Sequence, residues 1–449
     1  MMSGEAEVGA LSAALNASDE DGAIAALVGA LKDGVPAARL KRAILRAMAA
    51  DGEELHSMVY VSAAFDVSAG LGPEAGKYAL AAAALQIARQ PKNSRVADLV
   101  GRGREKARAA GSSAAMGEVE RALADALDHS DVPKAVDAAI ELHRLSGESS
   151  FVVNLFAKWA ARPEVIDKPA GYVSHLPLQV DAAMNLLRHA TEVEDQDLLL
   201  GHLAYCQVEL SRRYTTHRVS PEPTPALEPG EALSAFGSAV REGRLGALRG
   251  LIAASSPHGR SLEEPGRVLM RCALEASEGL SHRFTLADAA RRIARQLHPA
   301  VGRAMLHHAA LSVAHGYKGP RRLLELRDLP HPNPGGADYA GRLLVGITSG
   351  NLPEAHAALR GFFEAGTSPR TVAISFLDAA SHLDVRRLTS DHGLILTQAA
   401  WRAIADGSFA GDAVPLLSEL ASKLAKAPKD HDLVQRVEEA WLEAPSPPA

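Results

Sequence analysis

Apolar residues recur at helical spacing through nearly the whole chain, and strand-like alternation is scarce. Ala23, Leu27, Ala30 and Leu31 form one stripe, closed by Gly34 where a helix would take a C′ glycine. Pro36 opens the next helix, whose apolar face carries Leu40, Ile44 and Met48. The pattern predicts an all-α fold. Prolines punctuate it. The stretch from Ser220 to Gly230 holds Pro221, Pro223, Pro225 and Pro229 and reads as a linker. It divides the chain into an N-terminal half, residues 1–219, and a C-terminal half, residues 231–449. A second loop, Leu329 to Gly336, interrupts the later half, and Ala444 to Ala449 reads as a loose tail.

Two elements repeat. Residues 23–34 match residues 355–366, residues 232–243 fit the same template, and residues 135–147 fit it with one extra residue. Each is an amphipathic helix closed by glycine. The second element is sharper. His56, His175, His282 and His392 each carry Ala-Ala at the seventh and eighth positions that follow, and none of the other histidines among the 18 does. Successive members stand 119, 107 and 110 residues apart. This spacing predicts four diverged multi-helix copies of about 110 residues, two in each half, a period far longer than TPR or HEAT repeats.

Composition narrows the function classes. Apolar residues are 47% and aromatics only 4%, and the formal net charge is −6, which offers nucleic acid no general attraction. The basic run Lys92, Arg95, Arg102, Arg104, Lys106 and Arg108 reads as a solvated helix face. Cys206 and Cys272 make no CxxC or zinc-ribbon spacing, which favours a reducing, cytoplasmic setting. The acidic start lacks a basic n-region, so no signal peptide is expected. The longest apolar run, Ala79 to Ala88, is too short to span a bilayer, so no membrane partner is expected. There is no P-loop and no G-x-S-x-G, and Gly101-Arg-Gly-Arg follows no strand pattern.

The four histidines carry the candidate chemistry. Ser174, Ser281 and Asp391 precede three of them and suit an N-cap, which places those histidines in a first helical turn. The positive helix end disfavours imidazolium and favours the neutral, metal-binding ring. Alanine at the seventh position leaves space on the same face. Four such turns converging would suit a transition metal such as iron, manganese, copper or zinc. His202 and His307, with His308, fall on the helices that follow and are candidates for additional ligands. The other reading is structural: a repeated histidine packing against its neighbours in a helical scaffold that binds a protein partner.

These motifs resemble the questin oxidase-like family. Leu55-His-Ser-Met-Val-Tyr-Val-Ser-Ala-Ala64 is similar to that family's histidine helix, F-H-x-L-I-x-x-x-x-A. Ser281 to Arg291 is similar to its H-x-x-T-x-x-x-A-L-R segment, and Ala304 to Leu311 continues the likeness. Thr389 to Leu396 resembles its D-E-H-x-I-K-L segment. The resemblance implies a largely helical protein doing oxidative chemistry, of Baeyer–Villiger or ring-cleaving type, on a polycyclic aromatic polyketide or other small organic substrate. It implies non-haem iron, held by His56, His282 and His392 with His175 the fourth by repeat symmetry, and leaves room for a redox protein as reductant. Some members add a modified lysine ligand; three residues after the last histidine this chain has Ile395 instead.

Overall fold

The computed structural model describes residues 3–50, 56–90, 92–110, 115–162, 175–212, 219–257, 261–332, 338–383, 388–427 and 432–444. Among these the chain is all-α, with no strand and a single isolated bridge between Ala276 and Pro320. No helix among them is long and apolar enough to cross a membrane.

The chain forms two compact units. Unit 1 is residues 1–48, 56–92 and 323–449; unit 2 is residues 49–55 and 93–322. Unit 1 contains α1 (Ser3–Asn16), α2 (Glu20–Lys32), most of α3 (Ala37–Ala50), α4 (Ser57–Ala75) and α5 (Lys77–Ala88). Unit 2 runs through α6 (Arg95–Ala110), α7 (Met116–Asp128), α8 (Val132–Ser146), α9 (Ser149–Ala160), α10 (Leu176–Leu186) and α11 (Val193–Ser211). It continues with α12 (Pro229–Glu242), α13 (Leu245–Ser255), α14 (Glu263–Glu275), α15 (His282–Gln296) and α16 (Pro299–His315). Unit 1 then resumes as α17 (Tyr339–Ser349), α18 (Leu352–Glu364), α19 (Pro369–Ser381), α20 (Leu388–Ala405), α21 (Ala413–Lys426) and α22 (Asp432–Glu443).

This division corrects the halves expected from the prolines. The helices that carry His56 and His392 share one unit and those that carry His175 and His282 share the other, α4 packing on α20 and α10 on α15. The proline-rich stretch lies inside unit 2, between α11 and α12. Residues 219–228 are non-helical, as the prolines require, but Glu222 donates its N–H to Gly246 O at 3.0 Å and accepts from Arg244 at 2.8 Å. The segment is therefore laid along the start of α13. Of the other irregular stretches expected, 333–336 and 445–449 lie outside the described residues.

The glycine stops are where the sequence places them. Gly34, Gly147, Gly243 and Gly366 all take left-handed φ, between 68° and 76°. One alignment shifts. The helix two before each histidine helix is α2, α8, α13 and α18, so residues 232–243, in α12, occupy a slot one helix earlier than their sequence likeness suggests. The apolar run Ala79 to Ala88 falls in α5 and is buried on every side, a core helix of unit 1.

Candidate functional site

The histidine helices approach closely because of their alanines. Ala63, Ala64, Ala182, Ala183, Ala289, Ala290, Ala399 and Ala400 are all buried, so the seventh and eighth positions bring small side chains to the packed faces. Polar links join each pair. Arg402 Nε donates to Asp66 Oδ2 at 2.9 Å, and Gln398 Nε2 donates to the same oxygen at 2.9 Å and to Ser62 O at 3.3 Å. In unit 2, Arg292 Nε donates to Asp181 Oδ1 at 2.9 Å. Both arginines stand ten residues after their histidine. Asp288 is occupied within its own helix, accepting from Arg291 at 2.9 Å.

The placement of the histidines varies more than their spacing suggests. His56 and His175 themselves lead into α4 and α10. His282 is the first residue of α15, after Ser281, whose hydroxyl accepts from Arg283 N at 3.3 Å. His392 lies inside α20, which begins at Leu388, and not at a helix start as expected. Ser174 lies outside the described residues.

The four histidines come together as two pairs. In unit 2 the His175 and His282 ring centroids stand 5.2 Å apart with the planes at 67°. In unit 1 those of His56 and His392 stand 6.4 Å apart at 71°. Two imidazoles ligating one ion at about 2.1 Å put their ring centroids roughly 4.5–6.5 Å apart, depending on the angle at the metal. Both pairs lie within that range. Burial, with a smaller push from the His56 ring, drives His392 down to about 4, so its ring is neutral at pH 7. Among the described residues, no three His, Cys, Asp or Glu side chains gather as a metal-holding group. Among the described residues, each pair contributes two imidazoles.

The remaining candidates divide. His202 on α11 and His307 on α16 are buried on the helices that follow the unit 2 pair. His307 is pushed down to about 4 by burial, then by Arg249 and His308. His308, also pushed to about 4 by burial, directs Nδ1 at Arg162 O, 3.4 Å away. Ile395, where the resemblance has lysine, is 3% exposed and offers no ligand. Both cysteines are buried thiols outside any disulfide, and burial pushes the Cys272 thiol up to about 12, which removes it as a thiolate ligand. In the basic run, Arg104 pairs with Asp197 at 2.7 Å and Lys106 pairs with Asp137, which fits a salt-bridged helix face. Comparison of the chain with protein-family models, curated proteins and solved structures finds no match.

Proposed function

We propose that the chain is a metal-dependent oxidoreductase of the questin oxidase-like kind, in which His56, His175, His282 and His392 hold a transition metal, iron first, and oxidise a small organic substrate. The observation that carries this reading is the pairing of repeat-equivalent histidines at metal-compatible distances, 5.2 and 6.4 Å between centroids, from positions more than 100 residues apart. Iron bound there would supply the redox couple that O2 chemistry needs. The protein's own part is positional. The Arg402–Asp66 and Arg292–Asp181 links tie the paired helices together, which keeps the two rings of each pair side by side. Two imidazoles from each pair would hold the metal and would leave it able to take up O2 or a chelating substrate. A polycyclic aromatic polyketide with adjacent oxygens is the substrate class the resemblance suggests, with a redox protein as electron donor. The helix termini near the rings leave backbone N–H groups that favour an anionic substrate oxygen.

The second reading has its own support. Rings 4.5–7 Å apart in T-shaped contact also describe ordinary aromatic packing, which suits a helical scaffold that binds a protein partner. Cobalt(II) separates the two. Added to metal-free protein, it should produce d–d absorption that His282→Ala and His392→Ala each reduce while far-UV circular dichroism stays unchanged. Absence of the bands, with both variants losing stability instead, selects the scaffold.

A further inference from the structure

Away from the histidine pairs, unit 2 holds a second polar constellation. His143, near the end of α8, is 4% exposed. Its Nδ1 lies 2.6 Å from Asp197 Oδ1 on α11, and the other oxygen of that carboxylate accepts from Arg104 Nε at 2.7 Å. The carboxylate can only accept, so Nδ1 carries a proton, and Nε2 is the ring nitrogen turned towards Ser149 and Gln196. Ser149 Oγ lies 3.0 Å from that Nε2. Gly147, with φ 69°, turns the chain tightly enough to bring this serine, the first residue of α9, back against the histidine six residues earlier. The first turn of α9 presents backbone N–H groups with no intrahelical partner, at the positive end of the helix.

The network borders a cavity of about 540 Å³ lined by His143, Asp197, Gln196, Arg104, Arg108 and Arg144 among others. Gln196 joins the two. Its Nε2 donates to Ala190 O at 3.0 Å, which turns Oε1 towards Ser149 Oγ at 2.7 Å and His143 Nε2 at 3.0 Å. In this arrangement Ser149 Oγ donates to Gln196 Oε1 and Nε2 faces the same acceptor, so Gln196 is the side chain a ligand in the cavity must displace before Nε2 can take the serine proton.

We infer that Ser149, His143 and Asp197 form an esterase site, separate from the histidine pairs, that takes small esters bearing a negative charge. The nucleophile-to-base and base-to-carboxylate distances are those that acyl transfer requires. In the first half-reaction Ser149 Oγ bonds to the acyl carbon and passes its proton to His143 Nε2. The ester C–O bond breaks, and the alcohol leaves with that proton. In the second, water attacks the acyl-serine, gives its proton to the same nitrogen, and the carboxylic acid departs as Ser149 recovers its hydrogen. Asp197 holds the ring and balances its transient charge. Arg108 is the cavity cation that meets the negative charge of the substrate, since Arg104 pairs with Asp197 and Arg144 with Glu141.

Diisopropyl fluorophosphate tests this on the full chain. The expected result is a single phosphorylated serine, Ser149 by peptide mass, in the wild type or in the more open Gln196→Ala variant. His143→Ala should slow labelling at least tenfold, Ser149→Ala should abolish it, and a metal chelator should leave it unchanged. Hydrolysis of the mono-4-nitrophenyl ester of succinic acid should be lost in the same variants. Failure of both wild type and Gln196→Ala to label, with helix content intact, overturns the inference. So does labelling of Ser149 at an undiminished rate in His143→Ala.

Discussion

Arg402→Met tests what holds a histidine pair in place. The guanidinium is 7% exposed and bonds through Nε to Asp66, itself 16% exposed, so the substitution leaves a largely buried carboxylate without its strongest partner. Breaking one member of a buried ion pair costs about 3–5 kcal/mol. Two features reduce that here. Gln398 still donates to Asp66 at 2.9 Å, and the buried Lys41 amine remains near enough to feel the Asp66 charge. The expected loss is about 2–4 kcal/mol. Replacing both partners, Asp66→Leu with Arg402→Met, removes the stranded charge and should return to within about 1 kcal/mol of wild type. Urea unfolding followed by far-UV circular dichroism measures both. A loss below about 0.5 kcal/mol for the single variant, within the range of ordinary surface substitutions, would refute the reasoning. A double variant as unstable as the sum of the singles would refute it equally.

Other outcomes follow from burial and backbone geometry. Ala399→Leu adds three carbons to a side chain that is 4% exposed on a packed helix and should cost about 1–3 kcal/mol in the same urea assay. Gly147→Ala, at φ 69°, should cost about 1 kcal/mol of stability by the same measurement and slow any labelling of Ser149. His308 supplies a pH test. Its ring titrates near 6.5 when unfolded and at about 4 in the fold, so between those values the unfolded chain binds more protons and stability rises with pH. The contribution is full above about pH 6.5 and falls towards pH 4 at about 1.4 kcal/mol per unit. His308→Gln should flatten that part of the pH profile of urea midpoints.

Much of the fold is legible in the sequence because helical period, glycine stops and proline starts are local signals. Gly34, Gly147, Gly243 and Gly366 need only their own backbone to adopt left-handed φ. The recurrent His and Ala-Ala mark helices that pack closely, but not which copies pack together. That is a long-range choice, and the proline-rich stretch points the wrong way: Pro221, Pro223, Pro225 and Pro229 enforce a local break, while the unit boundaries run through unremarkable residues near 49–55, 92 and 322. A partial signal lies after the histidines. Arg292 and Arg402 stand ten residues after His282 and His392 and meet Asp181 and Asp66, but Asp288 repeats the Asp181 position on the arginine side, so charge alone does not select the pairs. The Ser149, His143 and Asp197 constellation has no comparable signature. It depends on α8, α9 and α11 meeting, and the His143-to-Asp197 separation of 54 residues matches no motif.

The paired histidines are proposed to hold metal. The most direct measurement is elemental analysis of the full chain, purified without a histidine tag or chelator and compared with the variant carrying alanine at positions 56, 175, 282 and 392. The account predicts a transition metal, chiefly iron, near or above one equivalent per chain in the wild type and close to none in the variant, with both proteins equally helical. Wild type free of metal after expression in iron-supplemented medium, or equal metal in both proteins, would contradict it.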